Sequence, residues 1–547
     1  MKFKNETLSI INGKIANGTG TQLFKANIHI ADGKIQQITS ERLQADKVID
    51  AEGLVVAPGF VNIHDHSDST LLLDGRADNL IRQGVTTTVI GNCGYSLAPI
   101  VEEKLDLLLK NWLFPIKDIK VEWRTFGEYL SCLQRQGLSI NVVALVGHGT
   151  VRINVMGMEN RPPTRTELAS MRKMVSEAMV EGAFGMSSGL AYPPGCYAET
   201  EELIELCREV ARYKGIYATH TRKESLGYLD GVTEAIEISA KSGARTQISH
   251  IETHYPAWGE QGKALSLIES AIRGGSDIGF DVIPYIWSAT SLYTLLPSWA
   301  CEGGPDQISL RMKDGEIREK IREEILNSER ELTTSALAKD GLWEKIKILS
   351  CPNRRELEGK TIKEVASIEG KDPFDVVFDL LSMGAPIPSI MAQSHKEEDI
   401  RCVIQNKDSI IGSDLYSIPR RLRKALGFQH PRGFGTFPLL FRKYVRGETL
   451  KTLPEEEGCR ILSLEDAVRR ITALPAQRLK LRSRGAIIEG AFADIVIFDE
   501  EKIRDTATYK SPSKYPRGLE YVIVNGEVVV EHSRPTNKRP GRVITRS

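Results

Sequence analysis

The sequence predicts an α/β fold: a (β/α)8 TIM-like barrel joined to a small β-sandwich domain that both ends of the chain build together. Three observations carry this expectation. Both termini alternate short apolar runs with turn residues, the long middle alternates strand-like runs with helical patterns, and the strand-like runs of the middle number eight.

At the N-terminal end, LSIINGKI, ANIHIADGKIQQI and KVIDAEGLVVAPG are short apolar runs, and ADGK and ING carry the turn residues of hairpins. Residues 1–57 therefore read as one part of the sandwich. GAIIEGAFADIVIFDE and LEYVIVNGEVVV give residues 481–547 the same character and make them the other part.

Residues 58–480 are left for the barrel. Its strands are expected at FVNIHDH (60–66), TTTVIGN (86–92), INVVALVGH (140–148), AFGMSS (183–188), IYATH (216–220), TQISH (246–250), IGFDVIPY (278–285) and SIIGSD (409–414). Helical patterns such as TEELIELCREVARYKG and DGVTEAIEISAKSG separate several of them, with Gly near the helix end as repeated βα units require. The gap between the last two strands is too long for one crossover helix. A mainly helical insertion is expected at about 290–345, with the chain rejoining the barrel near KIKILS and FDVVFDLLS as the last core helix.

At 547 residues the chain exceeds the usual size of one domain. Its 72 Lys and Arg balance 72 Asp and Glu, so net charge points neither to nucleic acid nor to an anionic membrane. The N-terminus lacks the apolar core of a signal peptide, and no stretch approaches the roughly 20 apolar residues of a membrane span. The expectation is a soluble cytoplasmic protein whose partner is a small molecule; a homo-oligomer is compatible with this. Eight cysteines lie scattered without CxxC pairs and are expected to be reduced.

In a barrel of this type the site lies at the C-terminal ends of the strands. The first run ends in His64-Asp65-His66, whose spacing of two puts both imidazoles on one face of a strand. His220 and His250 end the fifth and sixth runs, so four of the chain's ten histidines stand at strand ends. Cys93, in GNCGYSLAP after the second run, sits where a thiolate would hold a zinc-like ion, with Gly91 and Gly94 allowing close backbone approach. Asp414, ending the eighth run, becomes the natural general base opposite such a metal.

With these residues in view, the sequence resembles the N-acyl-D-amino-acid deacylases of the amidohydrolase superfamily over nearly its whole length. The resemblance rests on APGFVNIHDH, GNCGYSLAP, VGHGTVR, SSGLAYPPG, THTRKE, ISHIE, DVIPY, GSD, HPRGFGTFP and GAIIEGAFADIVIFD. Many relatives hold their metals with a carboxylated lysine on the fourth strand, whereas AFGMSSG has none and the chain offers Cys93. The resemblance implies His64 and His66 as first-strand ligands, and Cys93, His220 and His250 as ligands of the tighter zinc site. It implies Asp414 as catalytic aspartate beside the metals, with one zinc sufficient and a second site partly filled. The expected reaction is hydrolysis of the amide bond of an N-acyl-D-amino acid.

His148 in GHGT is a further candidate, to steady the oxyanion or orient substrate, against a structural role in a tight glycine turn. For the substrate carboxylate the resemblance implies Tyr285 and Arg432, with Ser288 as a weaker candidate. Two departures stand out. Glu252 replaces a lysine common in the family and would repel a carboxylate, favouring a substrate with a cationic group or a masked carboxylate. Leu439 stands where a basic residue is expected. The alternatives are a cyclic-amide hydrolase of the hydantoinase or dihydroorotase kind, which the missing strand-four lysine disfavours, and an inactive barrel scaffold, which gives no reason to keep a cluster of costly polar groups.

Overall fold

The computed structural model describes residues 6–112, 119–327, 332–450 and 456–546. Residues 1–5 and 547 of the expected sandwich, and 328–331 of the expected insertion, lie outside the described residues.

Nine strands from the two ends of the chain share one sheet: Leu8–Ile15, Phe24–Ala31, Lys34–Thr39, Lys47–Asp50 and Val55–Pro58 from the start, Ile495–Phe498, Leu519–Val524, Glu527–Glu531 and Arg534–Pro535 from the end. The two halves join where Ile495–Phe498 runs antiparallel to Val55–Pro58. Alternation decides what each face buries. Ile495 and Ile497 enter the small core of this sheet with Ile10 and Ile28, while Val496 and Phe498 point into the large core shared with the barrel. ADGK is a hairpin, with Asp32 and Gly33 at φ 52° and 74° between two antiparallel strands. ING is not: Asn12 sits inside Leu8–Ile15, where its left-handed backbone (φ 63°) produces a register shift in place of a turn.

Parallel strands form the barrel in two arcs. Phe60–Asn62, Val85–Ile90 and Asn141–Ala144 make one; Val146–Gly147, Gly185–Gly189, Ile216–His220, Arg245–Ile248, Ile278–Val282 and Ser409–Ile411 make the other. Asn141–Ala144 and Val146–Gly147 are consecutive pieces of one strand, so the arcs meet there and the ring has eight staves. The other join lies past the last stave, where Asp414 N–H donates to His64 O (3.0 Å) and His66 N–H donates to Leu415 O (2.9 Å). Helices Thr200–Arg212 and Tyr228–Ser242 cover the outside, the second ending on Gly243 in the left-handed region (φ 71°).

Between the seventh and eighth staves the chain leaves the barrel. Trp287–Ser291, Ser389–Gln393 and Ile346–Ser350 form a separate antiparallel sheet. KIKILS thus pairs inside this excursion and does not rejoin the barrel, because its edge is taken by Ser389–Gln393. The helix Pro373–Ser382 packs there too, with Phe374, Val377, Phe378 and Leu381 in a second core. The segment that returns to the barrel wall is Glu397–Gln405, whose Ile400, Val403 and Ile404 enter the main core.

Candidate active site

The first stave ends at Asn62, so His64 and His66 stand on the loop beyond it and not on the strand itself. The backbone bonds that join the loop to the last stave hold them in place, and their ring centroids lie 5.3 Å apart. His66 Nε2 is 3.0 Å and His64 Nε2 3.4 Å from Asp414 Oδ1. Cys93 Sγ lies 3.2 Å from His64 Nε2, 3.8 Å from His220 Nδ1 and 3.7 Å from His250 Nε2, and the latter two nitrogens are 2.8 Å apart. Two overlapping groups result, His64-His66-Cys93-Asp414 and Cys93-His220-His250, with the ligand atoms of each within 4.8 Å of one another.

Three of these residues sit on backbone that L side chains rarely adopt: Cys93 (φ 52°), His250 (φ 32°) and Asp414 (φ 47°). Surrounding contacts impose it. A side chain at Gly91 would meet Leu145 O at 2.0 Å and one at Gly94 would meet Gly189 N at 2.8 Å, so the Cys93 loop is pressed between neighbouring staves. Ser187, from the fourth stave, accepts from Gly94 N–H at 2.9 Å and donates to Gly91 O, clamping both flanks of the cysteine. The fourth stave thus helps to hold the Cys93 loop in place.

Burial opposes charge on Cys93, but the His64 imidazole and the hydrogen bonds from His220 and His250 outweigh it and hold the thiol well below its ordinary value. Burial likewise opposes Asp414, and Arg432, 2.9 Å from its Oδ2, together with His66 holds the carboxyl well below the usual range. The site thus presents a thiolate and a carboxylate among imidazoles, the borderline-soft donor set that suits zinc.

Several residues that the sequence reading passed over belong here. Glu224 stands 2.7 Å from His220 Nε2, the nitrogen turned away from Cys93. Asp281 accepts from His250 N–H (2.8 Å) and lies 3.5 Å from His64 Nδ1. The Tyr192 ring covers His220 at 4.6 Å between centroids. His254 and His395 meet edge to face at 4.3 Å; burial lowers His254 to about 4 and His395 well below its ordinary value. Glu224 follows His220 by four positions in THTRKE, which was the available signal; Asp281 lies within the seventh stave, Tyr192 and His254 on loops after the fourth and sixth, and only His395 comes from the excursion.

Of the remaining expected residues, Arg432, Ser288 and Glu252 line the cavity beside the cluster. Glu252 accepts the Ile283 N–H, and burial pushes its carboxyl well above the ordinary range. Tyr285 is 1% exposed, packed against His430 and Tyr509, and lines neither of the two cavities that meet the cluster. His148 is also set back. It heads the helix His148–Met156, fully buried, with Nε2 on Glu202 at 2.7 Å, and Glu202 also pairs with Arg152. Leu439 is a core residue.

The model of the amidohydrolase family matches residues 47–300 and 439–530. The D-aminoacylase of Alcaligenes xylosoxydans xylosoxydans is 32% identical over 99% of this chain and 98% of its own length. The chain belongs to the amidohydrolase family, among its N-acyl-D-amino-acid deacylases. The N-acyl-D-glutamate deacylase of the same organism is 30% identical to this family member over 98% of the chain and 96% of its own length. A solved N-acyl-D-glutamate deacylase from Bordetella bronchiseptica, complexed with zinc and a phosphonate mimic of the tetrahedral intermediate, has TM-score 0.80 at 28% identity. It covers 99% of this chain and 100% of that one. Among the described residues no helix is long and apolar enough to cross a membrane.

Proposed function

We propose that this amidohydrolase is a zinc enzyme that cleaves the amide bond of N-acyl-D-amino acids, releasing a carboxylic acid and the free D-amino acid. The observation that carries the reading is the convergence of Cys93 with His64, His220 and His250 at 3.2–3.8 Å beside Asp414. A thiolate with imidazoles that give up their protons to the ion is a fitting zinc donor set: Cys93, His220 and His250 would hold the tighter ion, and His64, His66 and Asp414 a weaker second one. A fourth stave without lysine speaks against the cyclic-amide alternative.

When bound, zinc polarises the amide carbonyl and lowers the pKa of a water. Asp414 Oδ1 would take a proton from the attacking water and return it to the leaving nitrogen; Arg432 and His66 keep its carboxyl ionised and so ready to accept one. Arg432 keeps that carboxylate oriented through Oδ2 and leaves its Nε for a substrate oxygen. Ser288 and Glu252 line the amino-acid side of the cavity, Glu252 as a hydrogen-bonding wall. Tyr285 and His148 act from behind: Tyr285 through its packing on His430, His148 through the helix it begins. Eight unpaired cysteines fit a cytoplasmic enzyme.

The test is amine release from a panel of N-acyl amino acids, D and L side by side, by zinc-loaded protein. Hydrolysis confined to D forms is expected; hydrolysis of L forms alone, or of cyclic amides alone, overturns the reading.

A further inference from the structure

Two cavities meet at His220, His250 and Asp414 and part beyond them. They also share Tyr192, Ala289, Thr290 and Arg432. The first continues along Glu224, Glu252, His254, Ser288, Thr333 and Thr334, with Ile283, Trp287 and Leu332 among them, so its wall is mixed but carries most of the polar side chains outside the cluster. The second continues along Tyr95, Leu349, Ile387, Leu415, Leu426 and Phe428. Three separate parts of the chain supply that apolar wall: the loop after the second stave, the excursion, and the segment that follows Asp414.

Most of the polar groups on the second wall are already committed. Tyr95 Oη meets Tyr293 Oη at 3.1 Å, Tyr416 Oη donates to Gln429 at 3.3 Å, and Gln429 Nε2 donates to Leu426 O at 2.7 Å. His430 lies 3.0 Å from Trp287 O through Nε2 and accepts from Arg432 N–H, also at 3.0 Å, through Nδ1. Beyond the metal cluster and the shared residues, the hydroxyls of Ser291 and Ser389 are the remaining polar side-chain atoms there. Apart from the metal cluster and Arg432 at the junction, a free carboxylate meets no cationic side chain on this side. Hydrocarbon needs none, and gains by displacing water from Leu349, Leu415 and Leu426.

We propose that the apolar cavity is an acyl pocket, and that the preferred substrates carry a straight acyl chain longer than acetyl, the amino-acid portion lying in the more polar cavity. This deepens the deacylase reading and rests on it. The scissile carbonyl sits where the cavities meet; the carboxylate and side chain of the amino acid lie on the polar side with Arg432 at the junction.

The test is a kcat/KM series with zinc-loaded enzyme on N-acetyl, N-butanoyl, N-hexanoyl and N-octanoyl derivatives of one D-amino acid. Each methylene buried in the pocket raises kcat/KM by up to about four-fold, so octanoyl exceeds acetyl by about 100-fold or more. A series that is flat or falls with length overturns the acyl pocket while leaving deacylation intact, whereas no amine release from any member overturns the deacylase reading itself. Leu426→Trp and Ile387→Trp, each checked for folding by circular dichroism, are expected to collapse the octanoyl-to-acetyl ratio. A ratio unchanged in both places the chain elsewhere and contradicts the proposal.

Discussion

His220 turns its two ring nitrogens to different partners: Nδ1 lies 3.8 Å from Cys93 Sγ and Nε2 lies 2.7 Å from the Glu224 carboxylate. The carboxylate fixes which nitrogen faces the metal cluster and raises its basicity. Burial opposes charge on Glu224, and the His220 and His254 imidazoles hold it ionised, well below the usual carboxylate range. Glu224→Gln keeps the shape and removes the charge. The variant is expected to bind zinc about 10- to 100-fold more weakly, read by competition against a chromogenic chelator. Unchanged affinity would mean that Glu224 does not orient His220.

Asp414 is expected to separate proton transfer from metal holding. Asp414→Asn removes the base at Oδ1, and kcat should fall by about 10²- to 10⁴-fold while one zinc per chain remains on Cys93, His220 and His250. Metal analysis alongside steady-state kinetics checks this. Loss of all zinc from the variant would assign Asp414 to the tighter site instead.

Gly91 has φ 79°, and a Cβ there would stand 2.0 Å from Leu145 O. Gly91→Ala therefore forces the Cys93 loop away from the third stave. It is expected to cost about 2 kcal/mol or more and to lower zinc content, measured by urea denaturation and metal analysis on the same preparation. A variant as stable and as metal-rich as the parent would show that the loop has room to move.

His148, Arg152 and Glu202 form a buried cluster, each side chain at most 2% exposed. Glu202→Ala leaves a guanidinium buried without its counter-charge, and the expected destabilisation is about 3–5 kcal/mol by chemical denaturation. Zinc content of the folded fraction should be unaffected, since the cluster acts through the helix His148–Met156 and touches no ligand atom. Zinc lost in step with Glu202 would place His148 closer to the reaction than its contacts do.

Much of this was legible from one sequence because barrels put chemistry at strand ends. His64, His66, Cys93, His220, His250 and Asp414 could be picked out by asking which polar residue ends each apolar run, and the structure brings all six together. The same logic failed for His148, which ends a run but turns into a helix and finds its partner in Glu202, a residue 54 positions away. ING read as a turn because Asn-Gly favours left-handed backbone, which a register shift inside a strand also uses. KIKILS read as a return to the barrel because apolar alternation marks a strand without naming its partner, and here the partner is Ser389–Gln393.

The central claim is that the Cys93, histidine and Asp414 cluster is a zinc hydrolytic centre acting on N-acyl-D-amino acids. Its most direct test strips the protein with a chelator, adds zinc back stepwise, and follows amine release from an N-acyl-D-amino acid and its L enantiomer. No turnover is expected without metal, D-specific turnover is expected to appear with the first equivalent of zinc, and none of it in Cys93→Ser at that same equivalent. D-specific hydrolysis by the metal-free protein, or silence at full zinc loading, would contradict it.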